Sequence, residues 1–224
     1  MIARGRPAVT TALVLVAAYA AVSAVLILLG LLMTDVLVSG SVGRWDDSLN
    51  TWAAAHRGSP WNQLSADATF LANTPGIVVV AAAASAVVAF VKRSRWALLL
   101  LFGLAVELTG FLTVNYVVSR PRPSVAHLGS TPSTFSWPSG HVAATVVLYG
   151  GIAVLVAHLT QRVLPNVLAR IVAVGLTVAV AASRVYRGEH HLTDVLAGLV
   201  LGACALTAAW YALGPLRVRT ADVP

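Results

Sequence analysis

Three short polar clusters interrupt an otherwise apolar chain and carry the residue types that phosphoryl transfer needs. Each lies beside a stretch long enough to cross a bilayer, where arginine, histidine and aspartate are costly and mark functional sites. The clusters are Arg120-Pro121-Arg122-Pro123, then Pro138-Ser139-Gly140-His141, then Ser183-Arg184 followed by His190 and Asp194. Together they offer cations for a phosphate, one histidine to attack, a second to donate a proton, and a carboxylate to orient the attacker.

The third cluster has the spacing of a nucleophile and its orienting acid. His190 and Asp194 are four residues apart at the head of an apolar segment, so they share one helical face. A carboxylate there can accept from one ring nitrogen, which fixes the tautomer and frees the other nitrogen to attack. Arg184 returns to the same site across a short turn. His191 points about 100° away on a helix and is interpreted as a bystander. A structural His–Asp helix cap is the alternative.

The second cluster is typical of a helix start that binds oxyanions. Proline suits the first turn, small residues leave backbone N–H groups open to a ligand, and the Ser139 hydroxyl adds a donor. His141 can then reach a phosphate held there; an ordinary helix cap is the alternative. In the first cluster, Arg120 and Arg122 have guanidinium groups suited to bidentate contacts with a phosphate. The alternative is that both side chains simply extend to the membrane interface.

Six apolar segments must position these clusters, each near the roughly 20 residues that a helix needs to cross a bilayer. The chain has 224 residues, of which 58% are hydrophobic and 10% charged, a membrane composition that suits one bundle over residues 1–224. The first segment is interpreted as a retained anchor and not a signal peptide. The predicted spans are residues 8–33, 75–91, 96–118, 141–159, 167–182 and 192–213. The predicted fold class is all-α, a polytopic protein with six transmembrane helices.

The polar stretch between the first two segments, residues 35–74, is predicted to contain a short interfacial helix. Trp45, Leu49 and Trp52 fall on one helical face, as in helices that lie along a membrane surface. A loop with incidental aromatic residues is the alternative.

The basic residues predict the orientation. One side of the six-helix arrangement holds Arg4, Arg6, Lys92, Arg93, Arg95, Arg162, Arg170, Arg217 and Arg219. The positive-inside rule puts this side and both termini in the cytoplasm. The three clusters are then expected to meet on the outer face of the plasma membrane. The frequent use of Arg in place of Lys, together with many Ala and Val residues, indicates a bacterial source. The net charge is +7, but the sequence contains no run of basic residues, so no nucleic-acid partner is expected.

Two further residues lie inside apolar segments. Glu107 is midway along the third span, where it is interpreted as a structural group hydrogen-bonded near Thr109 and Thr113; a contact with substrate is the alternative. Cys204 is the single cysteine, so neither a disulfide framework nor a thiol metal site is expected.

On these motifs the sequence resembles the membrane-bound type 2 phosphatidic acid phosphatases, related in their active site to vanadium haloperoxidases and glucose-6-phosphatase. The family pattern is Lys, six residues and Arg-Pro; then Pro-Ser-Gly-His; then Ser-Arg, five residues, His, three residues and Asp. The second and third motifs match fully, in order. The first matches at Arg122-Pro123 but has Asn115 in place of Lys. The motifs span residues 115–194, the expected catalytic core.

The resemblance implies a role for each matching residue. His190 would form a phosphohistidine, Asp194 would orient it, and His141 would protonate the leaving group. Asn115 can donate a hydrogen bond through its amide but lacks the positive charge of the family's Lys. The neighbouring Arg120 could supply that missing charge. The expected phosphate ligands are Arg122, Ser139, the Gly140 backbone, Arg184 and Asn115. No metal or cofactor is expected, because guanidinium groups and helix-end N–H groups supply the charge stabilisation.

The sequence therefore predicts a metal-independent phosphatase acting on a lipid phosphate or pyrophosphate. Candidate substrates are polyprenyl phosphates and pyrophosphates, polyprenyl-linked sugar phosphates, phosphatidic acid and phosphatidylglycerophosphate. The alternatives are a lipid phosphoryl transferase and a lipid-phosphate binding protein with a weakened site, which Asn115 favours and the intact His141 and His190 oppose. A transporter is disfavoured because the polar residues cluster on one face. The expected partners are the lipid substrate and membrane lipids; the oligomeric state stays open.

Overall fold

The computed structural model describes residues 7–129, 133–160 and 162–214. Within them every regular element is helical: α1 (Ala8–Leu31), α2 (Ser41–Ala55), α3 (Ser59–Phe70), α4 (Thr74–Lys92), α5 (Leu99–Val118), α6 (Gly140–Thr145), α7 (Gly151–Thr160), α8 (Val163–Tyr186) and α9 (Leu192–Leu213). A π turn at Leu32–Leu37 extends α1, a 3-10 turn at Arg95–Leu98 leads into α5, and a π turn at Val146–Gly150 joins α6 to α7. Four of the basic residues on which the predicted orientation depends lie outside the described residues: Arg4, Arg6, Arg217 and Arg219.

The six predicted membrane spans are confirmed, and the chain is a multi-pass membrane protein. Helical stretches long and apolar enough to cross a bilayer are Ala8–Leu37, Thr74–Lys92, Arg95–Val118, Gly140–Thr160, Val163–Tyr186 and Leu192–Leu213. The fifth extends four residues beyond the prediction at each end. The added turns include the polar residues Asn166, Ser183 and Arg184, which continue the helix past the purely apolar stretch that the prediction followed.

The segment between the first two spans forms two helices where one was predicted. In α2, which contains the predicted residues 45–52, Trp45 and Trp52 are exposed while Asp46 and Asn50 are buried against the rest of the protein. α3 begins with a proline in its first turn, a position that proline favours. The location of α2 at a membrane interface stays a prediction.

Local signals set the ends of the helices that lead to the polar clusters. The Asn73 side chain caps α4 by accepting a hydrogen bond from the Gly76 N–H at 2.6 Å. Arg93 ends α4 and Ser119 ends α5, both in the left-handed conformation that commonly terminates helices. The turn at Ser119 directs the chain into the first polar cluster.

Two glycines on α9 bring the second polar cluster close to the third. A Cβ atom on Gly198 would lie 2.4 Å from the Ser139 carbonyl oxygen, and one on Gly202 would lie 2.6 Å from that of Ala143. Small residues at such contacts allow membrane helices to approach backbone to backbone. α6 therefore packs directly on α9, and the Ser139 N–H donates to the Asp194 carbonyl oxygen at 2.9 Å.

Candidate active site

His190 lies in the turn between α8 and α9, and a backbone carbonyl holds its ring. Its Nδ1 is 2.7 Å from the Ser136 carbonyl oxygen. A carbonyl oxygen only accepts, so Nδ1 carries the proton and Nε2 keeps a lone pair. The structure thus produces the tautomer expected of a nucleophile, with Ser136 as the partner.

The surroundings of His190 keep its ring neutral. Burial lowers the pKa of His190 well below its usual value of 6.5, and the positive charges of Arg184 and Arg122, followed by His141, lower it further. The hydrogen bond from Nδ1 to Ser136 opposes this effect only in part. A histidine whose pKa is depressed in this way retains its Nε2 lone pair at neutral pH.

The predicted hydrogen bond from His190 to Asp194 is not formed. The His190 Nδ1 atom is 3.9 Å from Asp194 Oδ2, beyond hydrogen-bond distance. Oδ2 accepts instead from the Ser136 hydroxyl at 2.5 Å and from the His191 N–H at 2.8 Å. The reason is that Asp194 stands at the third position of α9, where a carboxylate caps its own helix start. Asp194 therefore holds Ser136, whose carbonyl holds His190.

His191 is part of the same arrangement and is not a bystander. It is buried, and its Nδ1 lies 3.2 Å from Asp194 Oδ2. It occupies the position just before α9, outside the helical geometry on which the 100° separation from His190 was based. His191 and Asp194 form a capping box that fixes the start of α9.

Arg122 and Arg184 converge on one buried carboxylate that belongs to none of the three motifs. Glu189 Oε2 is 3.3 Å from an Arg122 nitrogen and 3.6 Å from an Arg184 nitrogen. Arg122 also donates to the Glu189 carbonyl oxygen at 2.5 Å and to that of Thr134 at 3.1 Å. Glu189, the residue directly before His190, thus holds the two guanidinium groups close to each other. Its only signal in the sequence is an acidic residue directly before the motif histidine.

Two buried donors near this group have no hydrogen-bond partner among the described residues. They are the Ser139 hydroxyl and the Arg184 Nε. Ser139 immediately precedes the helix that starts at Gly140, whose first N–H groups lack partners within the helix. Buried donors without partners are unfavourable unless a ligand satisfies them, and an oxyanion accepts from all of these groups.

The side chains of Asn115 and Arg120 pair with other protein groups and are not available to a phosphate. The Asn115 amide donates to the Phe135 and Trp137 carbonyl oxygens at 2.9 and 3.0 Å and accepts from the Phe135 N–H at 3.0 Å. It therefore fixes the loop before α6 and has no donor left for a phosphate. Arg120 cannot supply the missing charge there, because it is buried between Asp46 and Asp194.

A cavity of about 290 Å³ brings four of the predicted site residues to one space. Arg122, Gly140, His141 and His190 all line it. Within residues 7–129, 133–160 and 162–214, no three His, Cys, Asp or Glu side chains are grouped so that they could hold a metal ion. The cavity therefore presents two histidines and a guanidinium to one space, with helix-start N–H groups at Gly140.

Residues 95–217 match the family model described as the PAP2 superfamily, which is more than half of the chain. The chain belongs to the PAP2 superfamily. Phosphatidylglycerophosphatase B of Bacillus subtilis (strain 168) is 33% identical to this PAP2 protein over 186 residues, 79% of this chain and 87% of that protein. The resemblance to the membrane-bound type 2 phosphatidic acid phosphatases is thereby confirmed.

Solved structures agree with the PAP2 fold. The crystal structure of the first transmembrane PAP2 type phosphatidylglycerolphosphate phosphatase from Bacillus subtilis superposes with a TM-score of 0.74 at 26% identity, covering 84% of this chain and 93% of that one. The crystal structure of Aquifex aeolicus LpxE superposes with a TM-score of 0.55 at 15% identity, covering 72% of this chain and 92% of that one. The second match supports the fold alone.

Three further residues support this PAP2 site although no motif includes them. Ser136 bonds both His190 and Asp194, Glu189 holds the arginines, and Asp46 on α2 accepts from the Thr193 N–H at the start of α9. Only the acidic character of Asp46 and Glu189 marks them in the sequence. Ser136 acts on His190 through its backbone, which side-chain identity cannot reveal.

Proposed function

We propose that this PAP2 protein is a lipid phosphatase that works through a phosphohistidine on His190. The observation that carries the proposal is a neutral histidine, proton-bearing at Nδ1, lining the same cavity as Arg122 and His141. Nε2 attacks phosphorus, the bond from phosphorus to the lipid oxygen breaks, and His141 gives its proton to that oxygen. Water then attacks phosphorus, His141 takes a proton from it, the P–N bond breaks, and inorganic phosphate leaves.

The same proposal assigns the phosphate oxygens to the donors around the cavity. Arg122 and Arg184 supply positive charge, while the Ser139 hydroxyl and the N–H groups at Gly140 add neutral donors. Donors fixed before reaction stabilise the charge of a phosphoryl transition state without reorganisation. The free Ser139 hydroxyl and Arg184 Nε support this assignment. In this scheme guanidinium groups act where other phosphatases use a metal, so no metal is required.

A lipid substrate is supported by the position of the cavity and by the relatives of the chain. The cavity runs between membrane-spanning helices, and apolar side chains make up most of its lining. The named activity of the Bacillus subtilis relative is on a lipid-linked phosphate ester. We therefore place this chain among enzymes that release phosphate from a membrane lipid.

The activity is tested by measuring phosphate release from purified protein against a panel of phosphatidate, phosphatidylglycerophosphate, polyprenyl phosphate and polyprenyl pyrophosphate. We expect release from at least one lipid, an unchanged rate in EDTA, and inhibition by vanadate, whose trigonal-bipyramidal form resembles the transition state. Loss of activity in EDTA with recovery on adding a divalent metal would refute the metal-free site. The absence of phosphate release from every lipid in the panel would refute the phosphatase proposal itself.

We further propose that both termini are cytoplasmic and that the cavity opens on the outer side of the plasma membrane. The support is the excess of basic residues on the side of the termini. Reporter fusions after Lys92 and after Gly129 are expected to report opposite sides, with Lys92 inside. The same side for both would contradict the six-span arrangement, and a reversed result would place the site in the cytoplasm.

A further inference from the structure

The cavity that holds the candidate catalytic residues continues into the membrane-spanning part of the bundle. Arg122, His141 and His190 line one part of it. The rest is lined mainly by apolar side chains of α4, α5 and α6, and by one carboxyl group, that of Glu107 on α5. A lipid whose phosphate is held beside His190 would extend past this carboxyl.

Glu107 is buried and has no partner of its own. Its exposed fraction is 4%, and neither a hydrogen bond nor an ion pair joins it to a described residue. The two threonines expected to bind it are engaged elsewhere: Thr109 donates to the Ala105 carbonyl at 2.7 Å, and Thr113 pairs with the Tyr19 hydroxyl at 2.9 Å. An unpartnered carboxyl inside a membrane helix is unfavourable, so a structural role does not account for Glu107.

The depth of Glu107 matches a particular part of a lipid. Phe111 packs on Gly140 at the start of α6, where a Cβ would be 3.0 Å from its ring. Glu107 precedes Phe111 by four residues on α5, a helical rise of about 6 Å away from the phosphate-binding end. In a glycerolipid, the first ester or hydroxyl oxygens of the glycerol backbone lie about 5–6 Å from phosphorus along an extended chain. A polyprenyl phosphate has only hydrocarbon at that depth.

We propose that Glu107 recognises the glycerol-backbone oxygens of a glycerolipid phosphate and makes the enzyme selective for this class over polyprenyl phosphates. A carboxyl can accept from a lipid hydroxyl and, when protonated, donate to an ester carbonyl. A site built to hydrogen-bond a substrate rejects analogues that lack the group, because its own polar atoms are then left unpaired. This inference rests on the proposed phosphatase activity and names its substrate class.

The test compares kcat/KM for dioleoyl phosphatidate and geranylgeranyl monophosphate in the same detergent micelles. Wild-type protein is expected to prefer the phosphatidate. Glu107→Leu is expected to lower kcat/KM for phosphatidate about five- to tenfold, the value of one hydrogen bond. The same variant leaves the polyprenyl substrate unchanged or improves it. Glu107→Gln keeps hydrogen-bonding groups of the same shape and is expected to retain most of the preference.

Thr109→Val is the matched control, because Thr109 is an exposed residue of the same helix that bonds only its own backbone. It should leave the substrate ratio unchanged. The inference would be overturned if Glu107→Leu changed kcat/KM equally for both substrates, or changed it for neither. A wild-type preference for the polyprenyl substrate would also overturn it. In these cases measurable hydrolysis leaves the phosphatase proposal standing. If wild-type protein hydrolyses neither lipid, the phosphatase proposal is what fails.

Discussion

Replacement of His190 by alanine is expected to abolish phosphate release while leaving the folded protein intact. The ring is the only proposed group that bonds covalently to phosphorus, and its Nδ1 is already held by Ser136. Loss of a nucleophile lowers kcat by roughly four orders of magnitude or more in hydrolases. Phosphate release and thermal unfolding in detergent are measured on the same preparation.

The covalent intermediate separates this mechanism from direct attack by water. Wild-type protein quenched during turnover of a radiolabelled lipid phosphate should carry acid-labile label, and His190→Ala should carry none. His56→Ala is the matched control, because His56 is an exposed histidine directly after α2 whose ring bonds only the Trp52 carbonyl. Substantial turnover by His190→Ala, or equal labelling of that variant, would refute a phosphohistidine at this position.

Replacement of Arg120 by methionine is expected to destabilise the protein more than any surface arginine substitution. Arg120 is buried between two fully buried carboxylates, 2.5 Å from Asp194 Oδ1 and 3.1 Å from Asp46 Oδ2. Without it, two negative charges face each other away from water. Removing one partner from a buried ionic group typically costs about 3–5 kcal/mol. Unfolding of the detergent-solubilised protein measures the loss.

Arg44→Met provides the comparison, since Arg44 is exposed on α2 and bonds only the Ser39 carbonyl oxygen. Its effect should stay within about 0.5 kcal/mol. Adding Asp46→Asn to Arg120→Met should recover part of the stability, because it removes one of the uncompensated charges. A loss below about 1 kcal/mol for Arg120→Met, or no recovery in the double variant, would show that the three charges do not act as a unit.

The membrane helices could be predicted because their signal is local. Each span is a continuous apolar run, and the predicted bounds of the last, residues 192–213, coincide with those of α9. α3 escaped prediction because half of its residues are polar and its apolar residues show no clear helical period. The burial of Asp46 escaped it for another reason: the tryptophans on α2 suggested a surface helix, while the opposite face carries the contacts to α9.

The sequence by itself determined which chemical groups this protein has and which of them share a helix end. His190, Asp194, Arg184 and the residues at 138–141 were selected as candidates from their residue types, their spacing and the motifs they match, since helical register is a property of neighbouring residues. Tertiary structure decided how those groups pair. The carboxylate of Asp194 stands one turn from His190, yet it binds Ser136 and Arg120, which are 58 and 74 residues away along the chain. The pairing of Asn115 with the loop before α6, and the absence of a threonine partner for Glu107 among the described residues, have the same reason. A side chain pairs with whatever donor or acceptor folding brings beside it, and no local pattern encodes which group that is.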